Sequence, residues 1–327
     1  MRKPGRSTYW LCAGIVACAN FSVFDSPAQS YPVKPIHILV GFVPGGAVDI
    51  IARLVGQKLS ENLGQPVVIE NRPGASTAIA TDRAAKSPAD GYTLLLIAIS
   101  TAIQSAVRTH LPYDLKRDLA PVSLVSIGPF VLVVHPSLPA RNVKELIALA
   151  RSHPGKLSVG SPGVGSAPHL AGELFKSRAK INVVHVPYKG SADSVVGAAS
   201  GLVPVCFASL ASALTLLDAG RLRPLAVTTA KRASLLPSTP TLDESGLPGY
   251  DYSAWYGVSA PAGAPKDIIM RLNVVLAKIV QMPDVKEALD KQGLEPQSST
   301  PEQFAAVISH EIEQTVKLVQ LSGLKVE

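Results

Sequence analysis

Ile36-His37-Ile38-Leu39-Val40, then Gly41-Phe42-Val43-Pro44-Gly45-Gly46, then Ala47-Val48-Asp49-Ile50-Ile51-Ala52-Arg53 is the stretch on which the fold turns. The first five residues read as an apolar strand, and the chain breaks at Pro44-Gly45-Gly46. It reopens near Asp49 as an amphipathic helix that buries Ile50, Ile51, Leu54, Val55 and Leu59. Glycines let the backbone pass close to a ligand, and the first N–H groups of a helix have no partner of their own. Such a junction suits a carboxylate or a phosphate. Taken alone it also reads as no more than a tight turn before a helix.

Two further junctions of the same design weigh against the plain turn. Leu157 to Ser161 reads as a strand, Pro162-Gly163-Val164-Gly165-Ser166 as a glycine-rich turn, and Ala167 to Lys176 as a helix. Val183 to Pro187 is a third strand, ending at Tyr188-Lys189-Gly190-Ser191 before another helix. Polar turns at the carboxyl ends of strands are where an open α/β sheet holds its ligand.

Strand and helix signals alternate along most of the 327 residues, which points to α/β layers with largely parallel sheets and, at this length, two lobes. Val67 to Glu70 and Tyr92 to Ala98 read as strands of the first lobe, with a helix at Ala78 to Ala85 between them. Phe130 to Val134 opens the second lobe, followed by a helix from Val143 to Arg151, and Leu225 to Thr229 is its last strand. Tyr252 to Val258 reads as a return strand, followed by helices at Asp267 to Met282 and Pro301 to Val319. The expected division is a signal at 1–28, lobe 1 at 31–126 plus 252–327, and lobe 2 at 127–251. Two crossings between lobes imply a hinged cleft.

The N-terminus carries an export signal: Arg2, Lys3 and Arg6, an apolar run from Trp10 to Phe24, and small residues at Ser26-Pro27-Ala28. The run is short for a membrane span. A lipoprotein route through Cys18 is the alternative. After cleavage Cys206 is the remaining cysteine, so no internal disulfide forms, and Cys206 reads as a buried small hydrophobe. The formal net charge of +7 falls when the basic signal is removed. The remaining excess is spread along the chain, which favours anions in general and does not suggest nucleic acid.

Pro44-Gly45-Gly46-Ala47-Val48-Asp49, Asn71-Arg72-Pro73-Gly74, Asp90-Gly91-Tyr92-Thr93-Leu94-Leu95 and His185-Val186-Pro187-Tyr188-Lys189-Gly190 together resemble the receptors of tripartite tricarboxylate transporters, the Bug family. The resemblance covers essentially all of the chain after the signal. It implies a periplasmic-binding fold of type II, no catalysis, no cofactor, and a monomer that delivers a small carboxylate to membrane transporter subunits. The ligand class it implies is a di- or tricarboxylate, an acidic amino acid or an aromatic acid. In such receptors the junctions that match Phe42 to Asp49 and Ser161 to Ser166 cradle a ligand carboxylate. A ligand-sensing protein that signals to a membrane sensor kinase is the alternative. Ala75-Ser76-Thr77, Asp193, Gly197, Pro204 and Ala208 depart from the usual pattern near the cleft, which bears on ligand identity.

The candidate ligand-binding residues are Phe42, Pro44, Gly45, Gly46, Ala47, Asp49, Ser161, Gly163, Gly165, Ser166, His169, Tyr188 and Ser209. Asp49 has a second reading as a helix-end stabiliser, His169 as a structural residue, and Phe42 and Tyr188 as lobe packing. Enzyme signatures fail at the residues their chemistry needs. Gly160-Ser161-Pro162-Gly163 is not a nucleophile elbow, and His310-Glu311 has Gln314 where a zinc site needs a second histidine. Gly41 to Gly46 lacks dinucleotide spacing, although Glu70 sits where a ribose-binding acid could.

Overall fold

The computed structural model describes Met1 and residues 31–108 and 110–322. Apart from Met1, the expected signal, with Cys12 and Cys18, lies outside the described residues. The chain begins with β1 (Ile36–Val40), α1 (Ala47–Leu63), β2 (Val67–Asn71), a 3-10 turn (Ala75–Thr77), α2 (Ala78–Ala85), β3 (Thr93–Ala98), α3 (Ile99–Val107) and α4 (Leu115–Asp118). A long strand, β4 (Leu119–Val134), leads into α5 (Val143–Ser152), β5 (Ser158–Ser161), α6 (Ala167–Ala179), β6 (Val184–Pro187), α7 (Ser191–Ala199), β7 (Val205–Ser209), α8 (Leu210–Asp218) and β8 (Arg223–Val227). The return is β9 (Ser253–Pro261), then α9 (Lys266–Ile279), α10 (Pro283–Asp290), β10 (Glu295–Pro296) and α11 (Pro301–Ser322).

This is the expected α/β fold in two lobes, with mixed sheets. In each lobe one strand is flanked by parallel neighbours, β1 by β2 and β3, and β5 by β6 and β7. The strands that cross between lobes add antiparallel pairs: β9 with β3, β4 with β9, and β4 with β7 and β8. Helices cover the sheets because these strands are apolar on both sides: Ile38 and its partner Leu94 on one face are at 0 % exposure, and Leu39 and its partner Leu95 on the other are at 3 % and 2 %. Glycine punctuation works as the sequence suggests. Helix α1 ends at Gly64, whose φ of +71° places it in the left-handed region, and its N–H caps Ser60 O.

Several boundaries differ from the sequence reading. Helix α1 starts at Ala47, one residue past the glycines, so Asp49 lies inside its first turn. The Asp267 to Met282 helix stops at Ile279, and Pro283 starts a new one. Phe130 to Val134 is no separate strand; it is the last part of the 16-residue β4. That strand pairs with β9 from Leu119 through Pro129 and with β7 from Phe130 onward, so one strand serves both lobes. The change of partner falls at Gly128-Pro129-Phe130, where a proline removes an N–H from the ladder.

A third link joins the lobes. Helix α11 packs against α3 and β4, and also against α6 of the second lobe. Its buried Glu311 accepts a hydrogen bond from Tyr252 Oη at 3.3 Å and one from Thr315 Oγ1 at 3.2 Å. Tyr252 lies at the start of the return crossing, its ring 6.0 Å from that of Phe130.

Candidate functional site

The strand register brings the carboxyl ends of both lobes' strands to the middle of β4. Ala98, at the end of β3, lies opposite Tyr256, which lies opposite Ser126. From the other lobe, Ser209 at the end of β7 lies opposite Phe130. Ser126 and Phe130 are four steps apart on one strand, roughly 13 Å at a strand's rise per residue. The carboxyl ends of β1 and β3 therefore converge with those of β5 and β7 on one stretch of the crossing strand.

In the first loop, Pro44, Gly45 and Gly46 are exposed and Ala47 is half-buried. Gly45 needs to be glycine, because its φ is +88°. Gly46 adopts an ordinary φ of −80°. No side chain caps α1, so the N–H groups of Ala47 and Val48 have no partner within their own helix. Asp49 lies beneath the loop at 2 % exposure. Its Oδ2 accepts from Gly45 N–H at 2.9 Å and Arg53 Nε at 2.9 Å, and its Oδ1 accepts from Asn71 Nδ2 at 2.8 Å. The Arg53 hydrogen bond does most to hold this carboxyl down to about 2, with Gly45 and Asn71 adding to it against the cost of burial. Asn71 also donates to Phe42 O at 3.0 Å, so one carboxylate and one amide fix both ends of the loop. Asp49 is thus committed to the protein, in keeping with its reading as a stabiliser of the helix end. Phe42 is half-buried and packs on the apolar core.

The second loop is more internally bonded. Gly163 and Gly165 have φ of +139° and +71°. Ser161 is buried; its Oγ accepts from Gly163 N–H at 3.2 Å and contacts His185 Nε2 at 2.6 Å. Ser166 Oγ donates to Gly163 O at 2.7 Å and accepts from His169 N–H at 3.3 Å. Gly165 N–H donates to His169 Nδ1 at 3.0 Å. Helix α6 is therefore self-capped by Ser166, and Pro168 removes one more N–H from its first turn. The first turn of α6 therefore offers fewer free N–H groups than that of α1. Val164, at 52 % exposure, forms its lip. Ser161, Gly165 and His169 are buried supports, and Tyr188 lies in the lobe packing against Gly160 and Gly197.

Open helix starts also occur where no glycine announces them. β3 runs into α3 at Ala98-Ile99 and β7 into α8 at Ser209-Leu210, each without a side-chain cap or an acidic residue in the first turn. Helix α7 also starts uncapped, at Gly190. By contrast α4 and α5 are capped by Asp114 and Asn142. The N-termini of α3 and α8 flank the Ser126 to Phe130 stretch, where Ser126 Oγ is buried without a hydrogen-bond partner. Ser209 Oγ turns to Ser212 Oγ at 2.9 Å, so its hydroxyl is held within α8. Sequence reading missed α3 because it sought glycine turns; an apolar strand that continues directly into helical spacing was the available signal. Among the described residues no group of three His, Cys, Asp or Glu is placed to hold a metal. Cys206 is fully buried, and burial pushes its thiol up to about 12.

Residues 51–324 match the model of the tripartite tricarboxylate transporter family receptor. Protein BugT of Bordetella pertussis is 38% identical over 302 residues, covering 92% of this chain and 93% of its own. Among solved structures, an R. palustris protein with adipate superposes with a TM-score of 0.80 at 37% identity, covering 90% of this chain and 98% of that one. MatC from Rhodopseudomonas palustris with bound malate gives a TM-score of 0.75 at 28% identity, covering 88% of this chain and 100% of that one.

Proposed function

The chain belongs to the tripartite tricarboxylate transporter receptor family, and on that premise we propose that it captures a small carboxylate in the periplasm and delivers it to a membrane transporter of that type. The observation that carries this reading is the set of uncapped helix starts, α1 and α3 from one lobe and α8 from the other, at the strand ends that converge on the change of partner on β4. Each offers unpaired N–H groups and the positive end of a helix dipole, which together favour an anion without a buried arginine. Pro44 to Ala47, with Gly163, Val164 and Ser166, form the lips that face the ligand in this reading. Asp49, Ser161, Gly165 and His169 shape them from behind.

Closure follows from the same arrangement. An anion that touches helix ends of both lobes gains contacts only when the lobes approach, so it shifts the population toward the closed form. The hinge is assigned to Gly128-Pro129 on β4 and Tyr252 to Ala254 before and within β9. The lobes are then close to the division expected from sequence, 31–126 plus 252–327 and 127–251, with the handover a few residues later on β4. No helix among the described residues is long and apolar enough to cross a membrane. Export by the N-terminal signal accompanies this reading.

Two related proteins were solved with adipate and with malate, which makes linear dicarboxylates the first ligands to try. A thermal-shift screen of such acids against the purified protein tests the proposal. A ligand at 100 times its dissociation constant stabilises by about 2.7 kcal/mol. A clear rise in melting temperature with at least one dicarboxylate is expected, and none with its diamide. A panel in which no carboxylate shifts the transition would overturn the reading.

A further inference from the structure

Behind the second loop, the rings of His169 on α6 and His185 on β6 stack with centroids 3.7 Å apart. His185 pairs with Val159 in the β5 register, two residues from Ser161, so both side chains lie on the face that α6 covers. Each ring touches the loop through a different atom. Gly165 N–H can only donate, so the Nδ1 it meets must be bare and the His169 proton sits on Nε2. Nε2 points toward Glu173, whose nearer oxygen is 3.8 Å away.

The Ser161 hydroxyl has one hydrogen and two acceptors in reach, His185 Nε2 at 2.6 Å and Gly163 O at 3.2 Å. Gly163 O already receives Ser166 Oγ at 2.7 Å and Ser166 N–H at 3.2 Å. The shorter contact and the two donors already on Gly163 O favour the Ser161 hydrogen on His185 Nε2, which puts the His185 proton on Nδ1, while a Ser161 lone pair accepts from Gly163 N–H. Two glycines with positive φ have little conformational preference of their own. Their shape is held by these two imidazoles together with Ser166, which closes on Gly163 O.

We infer that His185, backed by the stacked ring of His169, is a positioning residue for ligand capture: as a neutral acceptor it sets the Ser161 hydroxyl, and through it the Gly163 turn, in the shape that receives the anion. The inference rests on the proposed role of the Ser161 to Ser166 loop. Protonation of either ring would undo it. A second proton on His169 Nδ1 would face the Gly165 N–H, and one on His185 Nε2 would drive the serine hydrogen onto the crowded Gly163 O. Burial comes first in keeping both rings neutral, pushing each down to about 4. The charges acting on the pair are Lys176 and Glu173 of α6 itself, with the proximity of His169 also lowering His185. From β5 the pair meets Val159 and Ser161, and Val183 precedes β6; none of these titrates.

The test uses the full chain, with adipate as the probe and malate as the second. Imidazole nitrogen NMR of the free protein should give the Nε2–H tautomer for His169 and Nδ1–H for His185, with neither ring titrating until pH is near 4. His185→Gln presents an acceptor near the Nε2 position and should keep adipate affinity within about threefold. His185→Leu should lose about tenfold or more, Ser161→Ala should lose a similar amount, and the double variant no more than either alone. Circular dichroism melts establish that each variant folds. The opposite His185 tautomer, titration of these rings near the ordinary histidine range, or wild-type affinity in folded His185→Leu would overturn the inference. Gly163→Pro separates the two levels, since φ at that position excludes proline. Binding lost in Gly163→Pro but kept in His185→Leu defeats the inference alone, whereas binding kept in Gly163→Pro defeats the loop reading and the inference with it.

Discussion

Replacing Asp49 by alanine removes the strut under the first loop. The carboxyl is held at about 2 against an ordinary 3.8, and its side chain is only 3 % exposed, so solvent screens it little. At 1.36 kcal/mol for each pKa unit, the charged form contributes about 2 kcal/mol to folding. Part of the loss is softened because Gly45 is exposed and its freed N–H meets water, while Asn71 keeps its bond to Phe42 O. Asp49→Ala is therefore expected to destabilise by about 2 kcal/mol at pH 7, read as a shift of the urea midpoint at constant slope. Because the folded-state value is depressed, this contribution is fully present above the ordinary aspartate range and is lost as pH falls through about 2. The gap between wild type and variant should accordingly narrow from pH 5 toward pH 2. Adipate affinity should fall as well, since the loop loses the bond that holds Gly45. A variant within 0.5 kcal/mol of wild type, an estimate of the ordinary surface effect, or a gap independent of pH, would refute the strut.

Gly45→Ala and Gly46→Ala form a matched pair. At neither position does an added Cβ come closer than 3.9 Å to any atom, but φ of +88° strains only the first. Gly45→Ala should cost about 1 kcal/mol in a thermal melt. Gly46→Ala should melt like wild type and bind adipate more weakly in calorimetry, because only a ligand close to the backbone would meet the new methyl group. Glu311→Gln addresses the hinge side of α11. Burial raises this carboxyl to about 7, so the native state holds its proton more tightly than the unfolded chain does and stability declines as pH rises from about 4.5 to about 7. The glutamine variant should flatten that decline and be up to about 3 kcal/mol more stable at pH 8 by denaturant titration. An unchanged pH profile would show that Glu311 titrates normally.

The sequence was legible where glycine and proline punctuate apolar runs. β1, β2, α2 and the β5-to-α6 junction stand close to where those residues place them, because a positive φ at Gly45, Gly163 or Gly165 leaves a visible mark. It was opaque where a strand passes into a helix without a loop, as at Ala98-Ile99, and where one strand serves two lobes. Only Phe130 to Val134 of β4 reads as a strand, whereas the ladder runs on through Gly128-Pro129 and simply changes partner there. The supporting roles of Asn71 and His185 depend on contacts across 22 and 24 positions in the chain, which no local pattern carries. The self-capping of α6 by Ser166 was available in the residue type, since serine is a preferred cap.

Titration calorimetry of the wild-type protein with adipate, malate and their neutral diamides reads the claim that helix ends of two lobes grip one anion. The account predicts that at least one diacid binds with one-to-one stoichiometry and that its diamide does not, since the amide groups carry no charge for the unpaired N–H groups to stabilise. Equal affinity for acid and diamide, or saturation at two equivalents of acid with each lobe filling independently, would contradict it.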